Sequence, residues 1–259
     1  MKYKIATDAR PQATALLAAA ALSVGLWFVP YAWVVAYPFQ LFVTFIHEGG
    51  HALAAVLTGN TVQSLSVSLD TSGLTETLVP QGGFFSRLLI SSAGYLGAIG
   101  FGALLLWLVR MRVKAGAVLV GSGVVIAGLT AVFGFLVPLS NLQFSLFTLV
   151  SGASISVALF AAARLLSKRA ANFLVAFLAV QCVLNAVFNL RDLVMLSLWA
   201  VEQTDAANMA ELTGVPAIFW AFFWVVIALV VLSLTLRAYA VARERPSQPD
   251  LPFEDPVVP

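Results

Sequence analysis

Between Glu76 and Asp192 the chain carries no acidic residue, and the basic residues there mostly gather in short clusters that separate long apolar runs. A backbone wrapped in that much apolar side chain must satisfy its own N–H and C=O groups, and inside a bilayer a helix does so within one segment. Runs of about 20 apolar residues match the thickness of the hydrocarbon core. The composition agrees, with 61% hydrophobic and 10% charged residues, against about 25% charged in a soluble domain. The fold class that follows is an all-α polytopic membrane protein of six to seven transmembrane helices. Spans are expected at about 13–31, 38–58, 86–109, 116–137, 143–164, 171–199 and 215–241. Residues 13–241 then form a single integral-membrane domain between an N-terminal tail, 1–12, and a C-terminal tail, 242–259. The latter holds Pro246, Pro249, Pro252, Pro256 and Pro259 and reads as disordered. Lys2, Lys4 and Arg10 precede an apolar stretch with no clean small-x-small cleavage site, which reads as an uncleaved anchor. A net charge of +2 gives no reason to expect nucleic acid as a partner. The single cysteine, Cys182, excludes an intramolecular disulfide and reads as packing.

One segment breaks the helical pattern. Thr61–Leu69 alternates apolar and polar residues, Asp70–Gly73 supplies turn residues, and Leu74–Val79 alternates again. A period of two is that of a strand, so a small β-hairpin is expected at about 61–79. Its free edge would accept an extended peptide by strand addition.

Just before this hairpin, inside an apolar run, stands His47-Glu48-Gly49-Gly50-His51. Its two histidines are the only ones in the chain. On a helix, here about 38–58, positions i and i+4 share a face, so both imidazoles can bind one metal ion. Glu48 beside them is placed as general base toward a metal-activated water. Catalytic zinc usually takes three protein ligands, and with no third histidine the remaining donor is expected to be a carboxylate. Asp192, on the expected helix at about 171–199, is the first choice. Asn185, Asn189 and Asp192 are spaced 0, 4 and 7 and share one face. A charge in the bilayer centre costs roughly 2.5–3.5 kcal/mol on insertion scales, which metal coordination would justify. Asn185 and Asn189 would then be available to support an oxyanion or the substrate. Asp205 is the alternative ligand, in the polar segment Glu202–Glu211, where Thr204-Asp205 also reads as a helix cap.

The stretch Phe45–Leu53, then Thr58-Gly59-Asn60, the hairpin, Ser92-Ala93-Gly94-Tyr95-Leu96-Gly97, Asn185–Leu193, Thr204-Asp205-Ala206 and Met209-Ala210-Glu211 follow one another over most of the chain. In that order they resemble the site-2 protease family of intramembrane zinc metalloproteases, most closely its compact bacterial and plant branch. The resemblance implies that His47 and His51 bind zinc, that Glu48 is the general base, and that an aspartate on a later helix completes the site. Two motifs depart from the classic family. Arg191-Asp192-Leu193 stands where that family has Leu-Asp-Gly, and Gly94-Tyr95-Leu96-Gly97 where it has Gly-Pro-x-x-Asn. No soluble PDZ-like insert is present.

The function expected is that of a zinc metalloendopeptidase hydrolysing peptide bonds of membrane-embedded substrates, with Zn2+ as cofactor. Its partners would be a membrane-protein or peptide substrate and the lipid bilayer, and its place a bacterial cell membrane, which it crosses several times. The alternative is a catalytically inactive metal-binding scaffold or sensor. A transporter is disfavoured because no internal repeat is visible.

Overall fold

The computed structural model describes residues 10–196 and 204–240, apart from 27, 28, 30, 32, 81, 82, 112, 141 and 142, and leaves the side chains of 10–13, 24, 185–196, 236 and 238–240 outside that description. In chain order the elements are α1 (Arg10–Gly25), α2 (Trp33–Leu57), β1 (Thr61–Val67), β2 (Gly73–Leu78), α3 (Phe84–Arg110) and α4 (Ala115–Leu129). A π-helical stretch (Thr130–Leu136) follows, then α5 (Val137–Leu139), α6 (Leu146–Leu165), α7 (Lys168–Leu196), α8 (Asp205–Thr213) and α9 (Ala217–Ala240).

Among the described residues, four stretches are long and apolar enough to cross a membrane: Phe84–Arg110, Ala115–Leu139, Leu146–Leu165 and Ala217–Thr235. The six to seven spans expected from the sequence are not all found among the described residues, where α7 (Lys168–Leu196) is not counted because its side chains from 185 onward lie outside the description. The described part of α1, Arg10–Gly25, runs about 24 Å at 1.5 Å per residue, against a hydrocarbon core about 30 Å thick. Helix α2 begins at Trp33, ahead of Pro38, and its apolar run is broken by Gln40, Thr44, His47, Glu48 and His51.

Helix α2 packs most extensively on α3, α3 on α7, and α4 on α6. The α2–α3 crossing is close because glycines face each other there. A Cβ on Gly50 would strike the backbone of Ala93, and one on Gly97 would press on the Cα of Gly50. Small residues allow such approach where lipid offers no hydrophobic drive to bring helices together. The core between these helices holds Phe42, Phe45, Leu106 and Leu119, together with Cys182, which packs beside Gly102 of α3.

The expected hairpin is present. Strands β1 and β2 pair antiparallel, with Leu65 opposite Thr75 and Val67 opposite Gly73, and an irregularity between Val62 and Ser64. The two strands differ in exposure. Val62, Leu65 and Val67 of β1 are buried, whereas β2 exposes Leu74 and Leu78. The outer side of β1 meets the π-helical stretch, α5 and α6. There the hydroxyl of Thr148 accepts from Val67 N–H at 2.9 Å and lies 3.2 Å from the Val67 carbonyl, occupying the ladder position that another strand would take. The turn is tied to α2, since Tyr37 donates to the Leu69 carbonyl and Thr44 to the Thr71 carbonyl, both at 2.8 Å. Within the turn the Ser72 hydroxyl and N–H both donate to Asp70 and hold its carboxyl below the usual carboxylate range.

Candidate metal centre

Helix α2 delivers His47, Glu48 and His51 to one buried place, with 9%, 5% and 6% of their surfaces exposed. Each has a partner from another element. His51 Nδ1 lies 2.6 Å from the carbonyl of Ile90 on α3. A carbonyl only accepts, so Nδ1 donates there, which leaves Nε2 as the ring nitrogen able to serve as a metal ligand. The His47 ring meets the Tyr95 ring edge-on, at 4.8 Å between centroids and 88°. Tyr95 in turn stacks on buried Trp224 of α9, at 4.4 Å and 17°.

The third member comes from far along the chain. Asp205 Oδ2 lies 2.9 Å from His47 Nε2 and 3.2 Å from His51 Nε2. Its position follows from the way α8 is held. Thr204 caps the helix, its hydroxyl accepting from Ala207 N–H at 3.2 Å, so Asp205 occupies the first helical residue. Ala206 and Met209 bury the other face of α8 against a cluster that includes Ile99, Val183 and Trp224, and Ser92 reaches the Met209 sulfur at 3.8 Å. The helix ends at Gly214, in the left-handed region at φ 74°, whose N–H donates to the Ala210 carbonyl. Glycine adopts that conformation without strain.

His47, His51 and Asp205 thus bring three ligand-type atoms within 4.8 Å of one another. The donor set is two imidazoles and one carboxylate, the kind that holds catalytic zinc and leaves a fourth position open. Space for an ion is kept by Gly94 of α3. A Cβ there would land against the Nε2 atoms of both histidines, in the place the two lone pairs share. The residues present therefore fit a zinc ion.

Glu48 reaches in a different direction. The Thr75 hydroxyl on β2 donates to Glu48 Oε2 at 2.7 Å. Gly73, two residues earlier, approaches so closely that a Cβ would contact Glu48 Oε1 and Cγ. The carboxylate also stands within electrostatic reach of His47, His51 and Asp205.

Of the residues singled out in the sequence, the structure brings together His47, Glu48, His51 and Asp205. Asn185, Asn189 and Asp192 belong to α7, but their side chains lie outside the described residues. Cys182 is in the core, as its composition suggested. The sequence offered no local signal for Thr75 or Trp224. Gly94 and Tyr95 stood in Ser92–Gly97, a stretch that carries the resemblance without assigning either a role.

A protein-family model described as Peptidase M50B-like matches residues 14–235 of the chain. No curated protein and no solved structure matches it.

Proposed function

Because the chain belongs to the Peptidase M50B-like family, and so to the site-2 protease metalloproteases, we propose that it is an intramembrane zinc endopeptidase in which His47, His51 and Asp205 hold the metal and Glu48 is the general base. Its apolar helices and its family make it an integral membrane protein. Residues 13–241 form one membrane domain between the tails 1–12 and 242–259. The observation that carries this reading is the convergence of His47 Nε2, His51 Nε2 and Asp205 Oδ2 beside a buried carboxylate. Asp192 is the alternative third ligand, with Asn185 and Asn189 as support for substrate on the same helix.

A zinc ion held by His47, His51 and Asp205 would supply Lewis acidity toward a peptide carbonyl and toward water. Glu48 takes the proton from the attacking water and passes it to the amine that leaves. His51, oriented by the Ile90 carbonyl, and His47, backed by the Tyr95–Trp224 stack, keep their rings in place while this happens. Burial of all three motif side chains limits the water that competes for the proton. The substrate enters as an extended strand along β2, since Thr148 already occupies the outer edge of β1 and β2 is the exposed strand. Strand addition supplies main-chain hydrogen bonds whatever the side chains.

Glu48→Gln tests the assignment. The variant keeps the shape of the site and loses the base, so it should retain about one zinc per chain and lose cleavage by roughly 10²–10⁴-fold. Zinc content by atomic absorption and cleavage of fluorescently labelled casein read the two quantities separately. Unchanged cleavage in Glu48→Gln would overturn the general-base role. Bound zinc in a wild-type protein that cuts nothing would favour the scaffold or sensor.

A further inference from the structure

We propose that Thr75 is a positioning residue for the Glu48 carboxylate, so that strand β2 joins the edge where substrate docks to the base that acts on it. This inference rests on the protease reading above and adds to it a residue outside the metal-binding motif.

Two observations on one strand carry it. Thr75 Oγ1 donates to Glu48 Oε2 at 2.7 Å, a hydrogen bond to a carboxylate and therefore of the stronger kind. The same hydroxyl lies 3.1 Å from the Glu48 carbonyl, but it has one proton to give, and the shorter distance is to the side chain. Gly73, on the same face of β2 by the period of a strand, closes on the carboxylate from the other side. A Cβ at Gly73 would meet Glu48 Oε1 and Cγ, and also Thr44 Cγ2. Oε2 is engaged by the threonine, while Oε1 lies against Gly73.

The strand that provides this hold is the one free to take a partner. Residues 73 and 75 face α2, opposite buried Val67 and Leu65 across the ladder. Leu74, Glu76 and Leu78 alternate with them onto the other face of β2 and are exposed. A peptide added along β2 extends the ladder that contains Thr75, so it restrains the backbone carrying the hydroxyl. Orientation of a reacting group within a few tenths of an ångström is worth large factors in rate. Docking a substrate and fixing the base are therefore mechanically one event.

The test uses the full-length, zinc-loaded protein in detergent and labelled casein as probe, comparing wild type, Thr75→Val, Thr75→Ser and Glu48→Gln. Valine preserves the branched shape and removes the donor, whereas serine keeps the donor. Thr75→Val should lower kcat by roughly tenfold or more, a part of what a general base supplies. Its KM should stay within about twofold, as expected when an interaction is lost mainly in the transition state. Zinc should remain at about one per chain, as an ion held by other residues requires. Thr75→Ser should recover most of kcat. A Thr75→Val variant with wild-type kcat overturns the proposal and leaves the protease intact, provided Glu48→Gln is inactive. An effect on KM alone, or a serine variant no better than valine, also overturns it, because the residue would then serve docking or hairpin packing. If wild type and Glu48→Gln are equally inactive, the protease reading falls and this proposal with it.

Discussion

The helices α2 and α8 both contribute to the metal centre, yet they are held in different ways. Helix α2 has 25 residues, is clasped by α3 through a glycine crossing, and presents His47, Glu48 and His51 from consecutive turns. Helix α8 has 9 residues, contributes one carboxylate, and rests on a cap, two buried side chains and a left-handed glycine. The spacing of the histidines on α2 is built into helix geometry, since i and i+4 share a face wherever the helix lies. The distance from Asp205 to them is set by docking alone. In the proposed metal site, α2 would fix where the ion binds and α8 how tightly, so damage to α8 should reach the metal before it reaches the fold.

The largest effect expected is at the carboxylate itself. Asp205→Ala removes a ligand, and zinc affinity should fall by more than the roughly 10–100-fold typical of losing a partner behind a ligand, while the helical circular-dichroism signal stays unchanged. Asp192→Ala, made in parallel, should keep its zinc. If zinc leaves with Asp192 and stays without Asp205, α8 has no place in the coordination sphere and the contrast between the two helices collapses. Competition with a chromogenic zinc chelator measures both variants on one scale.

Gly94→Ala comes next and tests the α2 side. The added methyl has to displace the Nε2 atoms of His47 and His51, or α3 must move away from α2. Overpacking of this kind costs about 1–3 kcal/mol, a factor of roughly 5 to 150 in affinity if it falls on the metal. Gly50→Ala is the companion, because there the obstruction is the Ala93 backbone, which cannot swing aside. Gly94→Ala should lose zinc affinity with little change in melting temperature, and Gly50→Ala should do the reverse. If Gly94→Ala leaves zinc affinity intact, Gly94 does not keep open the space the ion would fill.

The same contrast explains what the sequence disclosed. The proximity of His47 and His51 on α2 was legible because their relation is local. The hairpin was legible too, because alternation at 61–67 and 74–78 is a pattern a strand leaves in its own residues, and the structure places β1 and β2 within the expected 61–79. The choice between Asp192 and Asp205 was not open to local reasoning. Asp205 meets His47 across 158 positions, and nothing in Glu202–Glu211 points toward α2. What was readable there was the cap at Thr204, a property of α8 alone. Thr75 was hidden for a related reason. It occupies the inward phase of β2, but whether that phase faces lipid, water or a catalytic carboxylate depends on how the hairpin lies against α2. The boundaries between spans were less legible, because hydropathy cannot see where a helix stops. The apolar run through 13–46 is nearly continuous, yet α1 ends at Gly25 and α2 begins at Trp33.

The smallest effect, and the one that divides the two helices most cleanly, is expected from Thr204→Ala. The hydroxyl of Thr204 accepts from Ala207 N–H, and losing a cap of this type costs about 1 kcal/mol. On a long helix in the middle of the protein that energy would be lost among the other contacts. On α8 it acts at the first turn, where Asp205 sits, and few other groups resist fraying there. The carboxylate would then be held in register for a smaller fraction of the time, and zinc affinity should weaken about fivefold, the same 1 kcal/mol read at the metal. The melting temperature of the metal-free protein should hardly move, because only one cap hydrogen bond is lost while Ala206 and Met209 stay buried. Serine at 204 should behave as wild type, since it caps as well as threonine does. A Thr204→Ala protein with unchanged zinc affinity and a lowered metal-free melting temperature would mean that α8 is bound into the fold as firmly as α2, and that the position of its carboxylate does not depend on its cap.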